Sequence, residues 1–371
     1  MSEFGRTTRA LHTRIDTTEA GAVVTPLFQN SAFEATSPFF YTRKDNPNSR
    51  ELEMVVQTLE DSSHCSAVTT GMTAIATVLS LVKPGSHVLL NKAVYGCTFR
   101  LFKRLEARRD VRLSVLDLSE GDALSRIPGD IDLVFFETPT NPFLYPVPIG
   151  AVAAAVKSTN ADAIVVVDNT WATPLFQKPL KHGADITVYS ATKYFSGHSD
   201  VMGGLICTDR QDLADEVRTE RFYSGGILDP HSAWLLRRSM QTFEIRMRRH
   251  VRVTKAMGAF LSEFEEVRKV YLPVIDGDQL TDYGGILFFE FRENLVDRYD
   301  DFVSALQLFD TGTAMACVSS MVAQPFSGSH ASMTEDEKAS MGLGRGLVRL
   351  CFGLEDVEDL KNDISGAFGS L

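Results

Sequence analysis

Two short apolar runs separated by a helical spacer constrain the fold of this chain most strongly. Ile164–Val167 ends in Asp168, and Ile186–Tyr189 leads within a few residues to Lys193. Apolar runs of this length that alternate with helical segments predict buried parallel strands. Neighbouring parallel strands open at their carboxyl ends into one crevice. We therefore expect a carboxylate and an amine to meet in that crevice.

The same alternation of short β-runs and amphipathic helices continues over most of the chain. It predicts an α/β large domain, residues 51–245, with a mostly parallel sheet covered by helices on both faces. A long charged helix near Pro230–Phe264 would lead to a smaller α+β C-terminal domain, residues 246–371. The other strands that we predict are His87–Asn91, Leu113–Leu116 and Leu133–Glu137 in the large domain, and Gly284–Arg292 and Leu347–Phe352 in the small one.

Residues 1–50 are rich in Thr, Asn, Pro and aromatic residues and have little periodicity. This composition predicts an extended arm that packs against something else, for which a neighbouring subunit is the natural candidate.

Bulk properties exclude several classes of function. The net charge of -11 and the pI of about 5.3 argue against nucleic-acid and anionic-membrane partners. The longest apolar run is far too short for a membrane span, and the N-terminus lacks an apolar signal core, which predicts a cytoplasmic protein. The five cysteines are scattered and never form a CxxC pair, so we expect neither a disulfide framework nor a metal site.

Lys193 and Asp168 together suit one chemistry. A lysine amine can form a Schiff base with a carbonyl cofactor, while an aspartate can pair with a protonated pyridine nitrogen. That combination favours pyridoxal 5'-phosphate (PLP). Taken singly, a strand-end lysine is usually a solvated surface group and a strand-end aspartate can be a helix cap, so the prediction depends on the pair.

Several segments offer groups suited to the phosphate of such a cofactor. The sequence Thr69–Thr73 precedes an apolar helix, and helix N-termini bind anions. Tyr41 and Arg43 combine a hydroxyl with a guanidinium in the N-terminal arm. The hydroxyls of Ser190 and Thr192 flank the strand that ends near Lys193.

Two further residues stand out beside apolar runs. Tyr95 follows a strand-like run, where its ring could stack on the pyridine ring. Arg349 interrupts an apolar strand, and a buried arginine needs an anion, for which a substrate α-carboxylate is suitable.

Seven segments in order resemble the signature segments of the Cys/Met-metabolism PLP enzymes, which include cystathionine γ-synthase, cystathionine γ-lyase, cystathionine β-lyase and methionine γ-lyase. The segments are YTRKDNP, TTGMTAI, VYGCTFRLF, ETPTNP, VVDNTWATP, SATKYFSGHSDVMGG and LVRLCFGLEDVEDL. The resemblance covers nearly the whole chain. It implies PLP-dependent transferase fold type I with a mostly parallel seven-stranded sheet, and a homotetramer built from two catalytic dimers.

The resemblance also implies a role for each candidate residue. Lys193 would carry PLP as a Schiff base and take the Cα proton, and Asp168 would hold the pyridine nitrogen. Gly71, Met72, Ser190 and Thr192 would bind the phosphate from one subunit, and Tyr41 and Arg43 would reach it from the neighbouring subunit. Tyr95 would stack on the ring and assist proton transfer, and Asn141 and Arg349 would hold the phenolic oxygen region and the substrate carboxylate.

The chain departs from the family at its substrate end. Thr313 stands where the cystathionine enzymes usually carry an acidic residue, and Ala314 replaces a serine that commonly helps at the carboxylate. Cys97 follows Tyr-Gly, as in methionine γ-lyases, which favours γ-elimination. The segment Arg221–Ser224 lacks the Lys-Asp pair that those lyases have.

The resemblance therefore predicts γ-elimination or γ-replacement on an L-amino acid with a γ-leaving group, through a β,γ-unsaturated intermediate. Three alternatives stay open within the family: β-elimination, a homoserine ester as substrate, and a specialised γ-substituted amino acid such as canavanine. Outside it, a catalytically silent PLP-fold protein is disfavoured by the intact candidate residues, and a nicotinamide-dependent dehydrogenase by the lack of a GxGxxG turn.

Overall fold

The computed structural model describes residues 4–15 and 21–371, which contain two β-sheets. The large sheet has the strand order β1-β7-β6-β5-β4-β2-β3, and only β7 runs antiparallel to its neighbours. Its strands are β1 His64–Val68, β2 His87–Asn91, β3 Arg112–Leu116, β4 Leu133–Glu137, β5 Ile164–Asp168, β6 Ile186–Ser190 and β7 Gly204–Thr208. The prediction of a mostly parallel seven-stranded sheet is confirmed.

The small sheet lies in the C-terminal part of the chain and is mostly antiparallel, with the order β10-β11-β12-β9-β8. Its strands are β8 Val267–Tyr271, β9 Ile286–Phe291, β10 Asp310–Thr311, β11 Met321–Ala323 and β12 Leu347–Cys351.

Helices cover both sheets. They are α1 Arg6–His12, α2 Pro47–Glu60, α3 Gly71–Leu79, α4 Gly96–Arg108, α5 Ile149–Thr159, α6 Thr173–Phe176, α7 Gln211–Ser224, α8 Pro230–Ser239, α9 Phe243–Leu261, α10 Tyr299–Ala305, α11 Glu335–Ser340 and α12 Val357–Gly369. Short 3₁₀ helices occupy Ala123–Arg126, Pro179–His182, Met240–Thr242 and Glu293–Arg298.

The strands of the large sheet are apolar throughout because both faces are buried. Along β4, Leu133 and Phe135 pack into one core with residues of α3, α4 and α7, whereas Val134 and Phe136 pack into another with residues of α5. Successive side chains of a strand point to opposite faces, so a sheet with helices on both sides needs unbroken apolar runs.

The prediction of a single long helix near Pro230–Phe264 is wrong in one respect. The chain forms α8 and α9 with the turn Met240–Thr242 between them. The buried guanidinium of Arg246 donates to the carbonyl oxygen of Ser239 at 3.0 Å and to Thr242 Oγ1 at 3.2 Å. These side-chain bonds satisfy polar groups at the break, which amphipathic periodicity does not reveal.

Within residues 4–15 and 21–371, no helix combines the length and apolarity needed to cross a bilayer. The same ranges contain no cluster of three or more His, Cys, Asp or Glu side chains that could hold a metal ion.

Candidate active site

The carboxyl ends of β4, β5 and β6 lie side by side and converge on Lys193. The lysine follows β6 in a turn in which its N–H donates to the Ser190 carbonyl at 3.2 Å and its own carbonyl accepts from Gly197 N–H at 2.7 Å. Burial lowers the pKa of the Lys193 amine, and the positive charge of Arg349 lowers it further, against the opposing effect of Asp168. A lowered pKa enlarges the neutral fraction of the amine, the form that attacks carbonyls and accepts protons.

Asp168 ends β5 and is fixed by the turn that follows it. The backbone N–H of Thr170 donates to Asp168 Oδ1 at 2.9 Å, and Thr170 Oγ1 accepts from the N–H of Ser190 at 2.8 Å. Burial raises the pKa of Asp168, while the Thr170 hydrogen bonds and the Lys193 charge oppose that rise. The carboxylate can therefore pair with a cationic ring nitrogen in this crevice.

The N-terminus of α3 lies directly against the end of β6. Thr70 caps the helix by accepting from Thr73 N–H at 3.0 Å. The backbone N–H groups of Gly71 and Met72 have no hydrogen-bond acceptor among the described residues. A Cβ at Gly71 would lie 2.7 Å from the Ser190 Cβ. Only glycine permits this approach, which brings two free amides and the Ser190 hydroxyl into one anion-binding cradle.

Tyr95 is the N-cap residue of α4 and is partly exposed at the mouth of the crevice. Its N–H donates to Glu137 Oε1 at 2.7 Å. Partial burial raises the pKa of the Tyr95 hydroxyl to about 12, and the neighbouring Cys97 thiol contributes to the rise. At neutral pH the hydroxyl therefore keeps its proton.

Arg349 and Asn141 contain buried polar atoms that the described chain does not satisfy. Arg349 is 3% exposed, and its Nη2 donates to the carbonyl oxygens of Thr313 and Ala314, both at 3.1 Å. Arg349 Nε and Asn141 Oδ1 have no partner among the described residues. Buried polar groups are normally hydrogen-bonded, so both atoms fit a ligand that enters this crevice.

Tyr41 and Arg43 lie apart from the other candidates within one chain. The Arg43 guanidinium donates to the Phe222 carbonyl at 2.7 Å and lies over the Phe222 ring at 4.4 Å from its centroid. Tyr41 and Arg43 line a pocket with Ile227 and Pro230, whereas Thr192 belongs to a different pocket. The structure thus places Lys193 near Asp168 and Arg349, and Gly71 against Ser190, whereas Tyr41 and Arg43 lie elsewhere.

Sequence reasoning assigned no role to Glu137 or Thr170. Glu137 ends an apolar strand next to β5, in register with Asp168, so the argument that singled out Asp168 could also have found it. Thr170 follows Asp168 by two residues, the spacing at which a backbone N–H bonds to an aspartate side chain.

Comparison with known proteins identifies the family of this chain. Residues 7–369 match the family model described as Cys/Met metabolism PLP-dependent enzyme. The chain is 36% identical over 394 residues to an L-methionine gamma-lyase from Pseudomonas deceptionensis, covering 99% of this chain and 98% of that protein. It is 35% identical over 375 residues to a cystathionine beta-lyase from Lactococcus lactis subsp. cremoris, covering 97% and 98%.

A solved structure gives the same result. Cystathionine gamma synthase from Xanthomonas oryzae pv. oryzae, in complex with aminoacrylate and cysteine, has a TM-score of 0.93 to this chain at 32% identity, covering 99% of this chain and all of that one (100%). The unsatisfied buried atoms, the amine of lowered pKa and the anion-binding cradle fit the family's cofactor. The chain therefore belongs to the Cys/Met metabolism family, has the fold type I architecture, and is an enzyme of the PLP-dependent lyase and synthase kind that acts on amino acids.

Proposed function

We propose that this enzyme catalyses γ-elimination or γ-replacement on an L-amino acid with a leaving group on Cγ. The observation that carries the proposal is the convergence of Lys193, Asp168, Tyr95 and Arg349 on one crevice. Bound PLP would supply the electron sink that stabilises the substrate carbanion.

Lys193 is suited to move protons between carbon atoms of the substrate. The lowered pKa enlarges the neutral fraction of Nζ. A neutral Nζ would accept the Cα proton and, once it had released that proton, could accept the Cβ proton. Asp168 would hold the ring nitrogen of the cofactor in its protonated form, because a carboxylate stabilises a neighbouring cation.

Arg349 would bind the α-carboxylate of the substrate. Nη2 is occupied by two backbone carbonyls, whereas Nε has no partner among the described residues. A guanidinium held in this way is oriented in advance, and a carboxylate would satisfy its remaining donor. Asn141 Oδ1 is a second buried atom without a partner among the described residues.

Tyr95 is suited to protonate the leaving group. With a pKa raised to about 12, its hydroxyl stays protonated at neutral pH and can act as a general acid. Its partial exposure would let the hydroxyl reach both a γ-substituent and an incoming nucleophile.

The substrate that we favour lacks the zwitterionic distal group of cystathionine. Thr313 offers no carboxylate to the distal ammonium of cystathionine, and both Thr313 and Ala314 use their carbonyl oxygens to hold Arg349. Methionine, a homoserine ester and canavanine are the candidates to test. β-Elimination on cystathionine is the second candidate function, because one relative at 35% identity is a cystathionine beta-lyase.

A second copy of the chain would complete the phosphate site, within a homotetramer of two catalytic dimers in the cytoplasm. A pocket of about 560 Å³ lies beside Thr192 and is lined by the acidic residues Asp200 and Asp229. The exposed Arg43 is complementary in charge, and it contacts no phosphate-site residue of its own chain. The neighbour's Tyr41 and Arg43 would therefore enter this pocket.

The experiment that tests the proposed reaction is a product assay by mass spectrometry on the PLP-loaded protein. The substrates are methionine, O-acetylhomoserine with and without cysteine, canavanine and cystathionine, and Lys193→Ala is the control. 2-Oxobutanoate from methionine or the ester indicates γ-elimination, and a new coupled amino acid indicates γ-replacement. Pyruvate and homocysteine from cystathionine, with no 2-oxobutanoate and no coupled amino acid from any substrate, would contradict the proposal in favour of β-elimination.

A further inference from the structure

Glu137 is a buried carboxyl beside the site to which the proposed reaction gives no role. It ends β4 and is paired in register with Asp168 at the end of β5. Residues in register on neighbouring strands point to the same face of a sheet, so two carboxyl groups lie next to each other at the carboxyl edge. Glu137 is 2% exposed.

The groups around Glu137 do not neutralise a negative charge. Its Oε1 accepts from the Tyr95 N–H at 2.7 Å, and the indole of Trp171 also faces it. No ion pair in residues 4–15 and 21–371 includes Glu137. Lys193 acts on the charge of Asp168 and Arg349 acts on Tyr95, whereas no cation is among the groups that act on Glu137.

Asp168 is the better placed of the two carboxyls to keep a negative charge. It accepts the Thr170 N–H at 2.9 Å and interacts with the charge of Lys193. Burial raises the pKa of Glu137 well above its usual range, and the negative charge of Asp168 raises it further. A negative charge on a neighbouring carboxylate disfavours ionisation of a buried carboxyl, so a single proton belongs on Glu137.

We propose that Glu137 is a neutral positioning residue: its Oε1 fixes the backbone of Tyr95, and its protonated oxygen leaves Asp168 as the sole carboxylate facing the ring nitrogen of the cofactor. This inference rests on the proposed function for the roles of Tyr95 and Asp168. The inference connects these two residues, because the Glu137 side chain both holds the loop that carries Tyr95 and lets Asp168 keep its negative charge.

The test compares Glu137→Gln with Glu137→Ala in the PLP-loaded enzyme without substrate. Glutamine keeps the oxygen that accepts from Tyr95 N–H and is neutral, as the protonated carboxyl is. We therefore expect the pH midpoint of the cofactor's visible absorbance to be the same in Glu137→Gln and the wild type. If Glu137 were ionised, removing its charge would lower the midpoint by roughly one pKa unit or more, and that result would overturn the proposal.

Infrared spectroscopy of the apoenzyme provides a readout that does not depend on the cofactor. At about pH 8.5, carboxyls of ordinary pKa are ionised, and we expect Glu137→Gln to lose the band of a protonated carboxyl. Glu290→Gln is the matched control, because Glu290 is an accessible strand carboxylate paired with Arg268 at 2.7 Å. A band unchanged by Glu137→Gln would also overturn the proposal.

The positioning role has its own measurement. We expect kcat/KM of Glu137→Ala to fall about tenfold or more below that of Glu137→Gln, because alanine releases the Tyr95 loop. Equal values for the two folded variants would refute positioning. If the alanine variant does not fold, the absorbance midpoint and the carboxyl band of Glu137→Gln still decide the proton's location. Both are measured without substrate, so they stand even if the proposed reaction is wrong.

Discussion

Gly71→Ala is the substitution whose effect can be worked out most directly from the structure. The added methyl group would lie 2.7 Å from Ser190 Cβ and 3.0 Å from Ser190 Cα, whereas carbon atoms pack at about 3.5–4.0 Å. The start of α3 must therefore move away from β6 by roughly 1 Å. Overpacking of this kind costs about 1–3 kcal/mol, and the better helix propensity of alanine offsets about 0.5–1 kcal/mol.

The remaining cost of up to about 2.5 kcal/mol corresponds to a factor of up to about 70 in an equilibrium constant. We expect the affinity of the apoenzyme for PLP to fall by that factor, because the amides of Gly71 and Met72 no longer converge with the Ser190 hydroxyl on one phosphate. Absorbance titration of the apoenzyme with PLP measures it, and thermal unfolding of the apoenzyme measures the effect on stability.

Gly366→Ala is the matched control. Gly366 lies inside α12, and a Cβ there would have no neighbour within 4 Å. The same substitution should leave PLP affinity unchanged and should not destabilise the chain. If Gly71→Ala matched Gly366→Ala in both measurements, the argument that close contact builds the phosphate site would be refuted.

Three further predictions concern the lysine, the shared site and pH. Lys193→Ala should abolish turnover and the visible absorbance of the Schiff base, and retained turnover would contradict its assignment. Arg43→Ala should weaken PLP retention, and mixed oligomers of Arg43→Ala and Lys193→Ala subunits should regain activity, since one site would have both native residues; no recovery would argue against a shared site. Burial raises the pKa of Glu60 from 4.5 to about 7, although Tyr189 donates to it. The fold thus favours the protonated form, and wild-type stability should fall by up to about 3 kcal/mol as the pH rises through that window. Glu60→Gln should gain stability relative to the wild type between pH 5 and pH 8 in urea unfolding, and a constant difference would contradict this.

Local pattern was enough to predict much of the large sheet. The bounds of His87–Asn91 and Ile164–Asp168 agree with the structure to the residue, because unbroken apolar runs between turn residues have few other ways to be buried. The break between α8 and α9 could not be predicted in this way. The break depends on the buried Arg246, which donates to the carbonyl of Tyr194 in a distant loop as well as to the carbonyl of Ser239 at the break itself.

Sequence alone determined that Asp168 and Lys193 follow neighbouring apolar strands, and that Gly71 begins a helix able to bind an anion. These features depend on the spacing of apolar residues, on helix-capping residues and on the order of segments along the chain, which are all local properties. Only the tertiary structure decided that Glu137 faces Asp168, that Arg349 keeps one donor unsatisfied, and that Arg43 lies away from the crevice of its own chain. Strand register, burial and the fields of nearby charges arise between residues far apart in the sequence, so they exist only once the chain has folded.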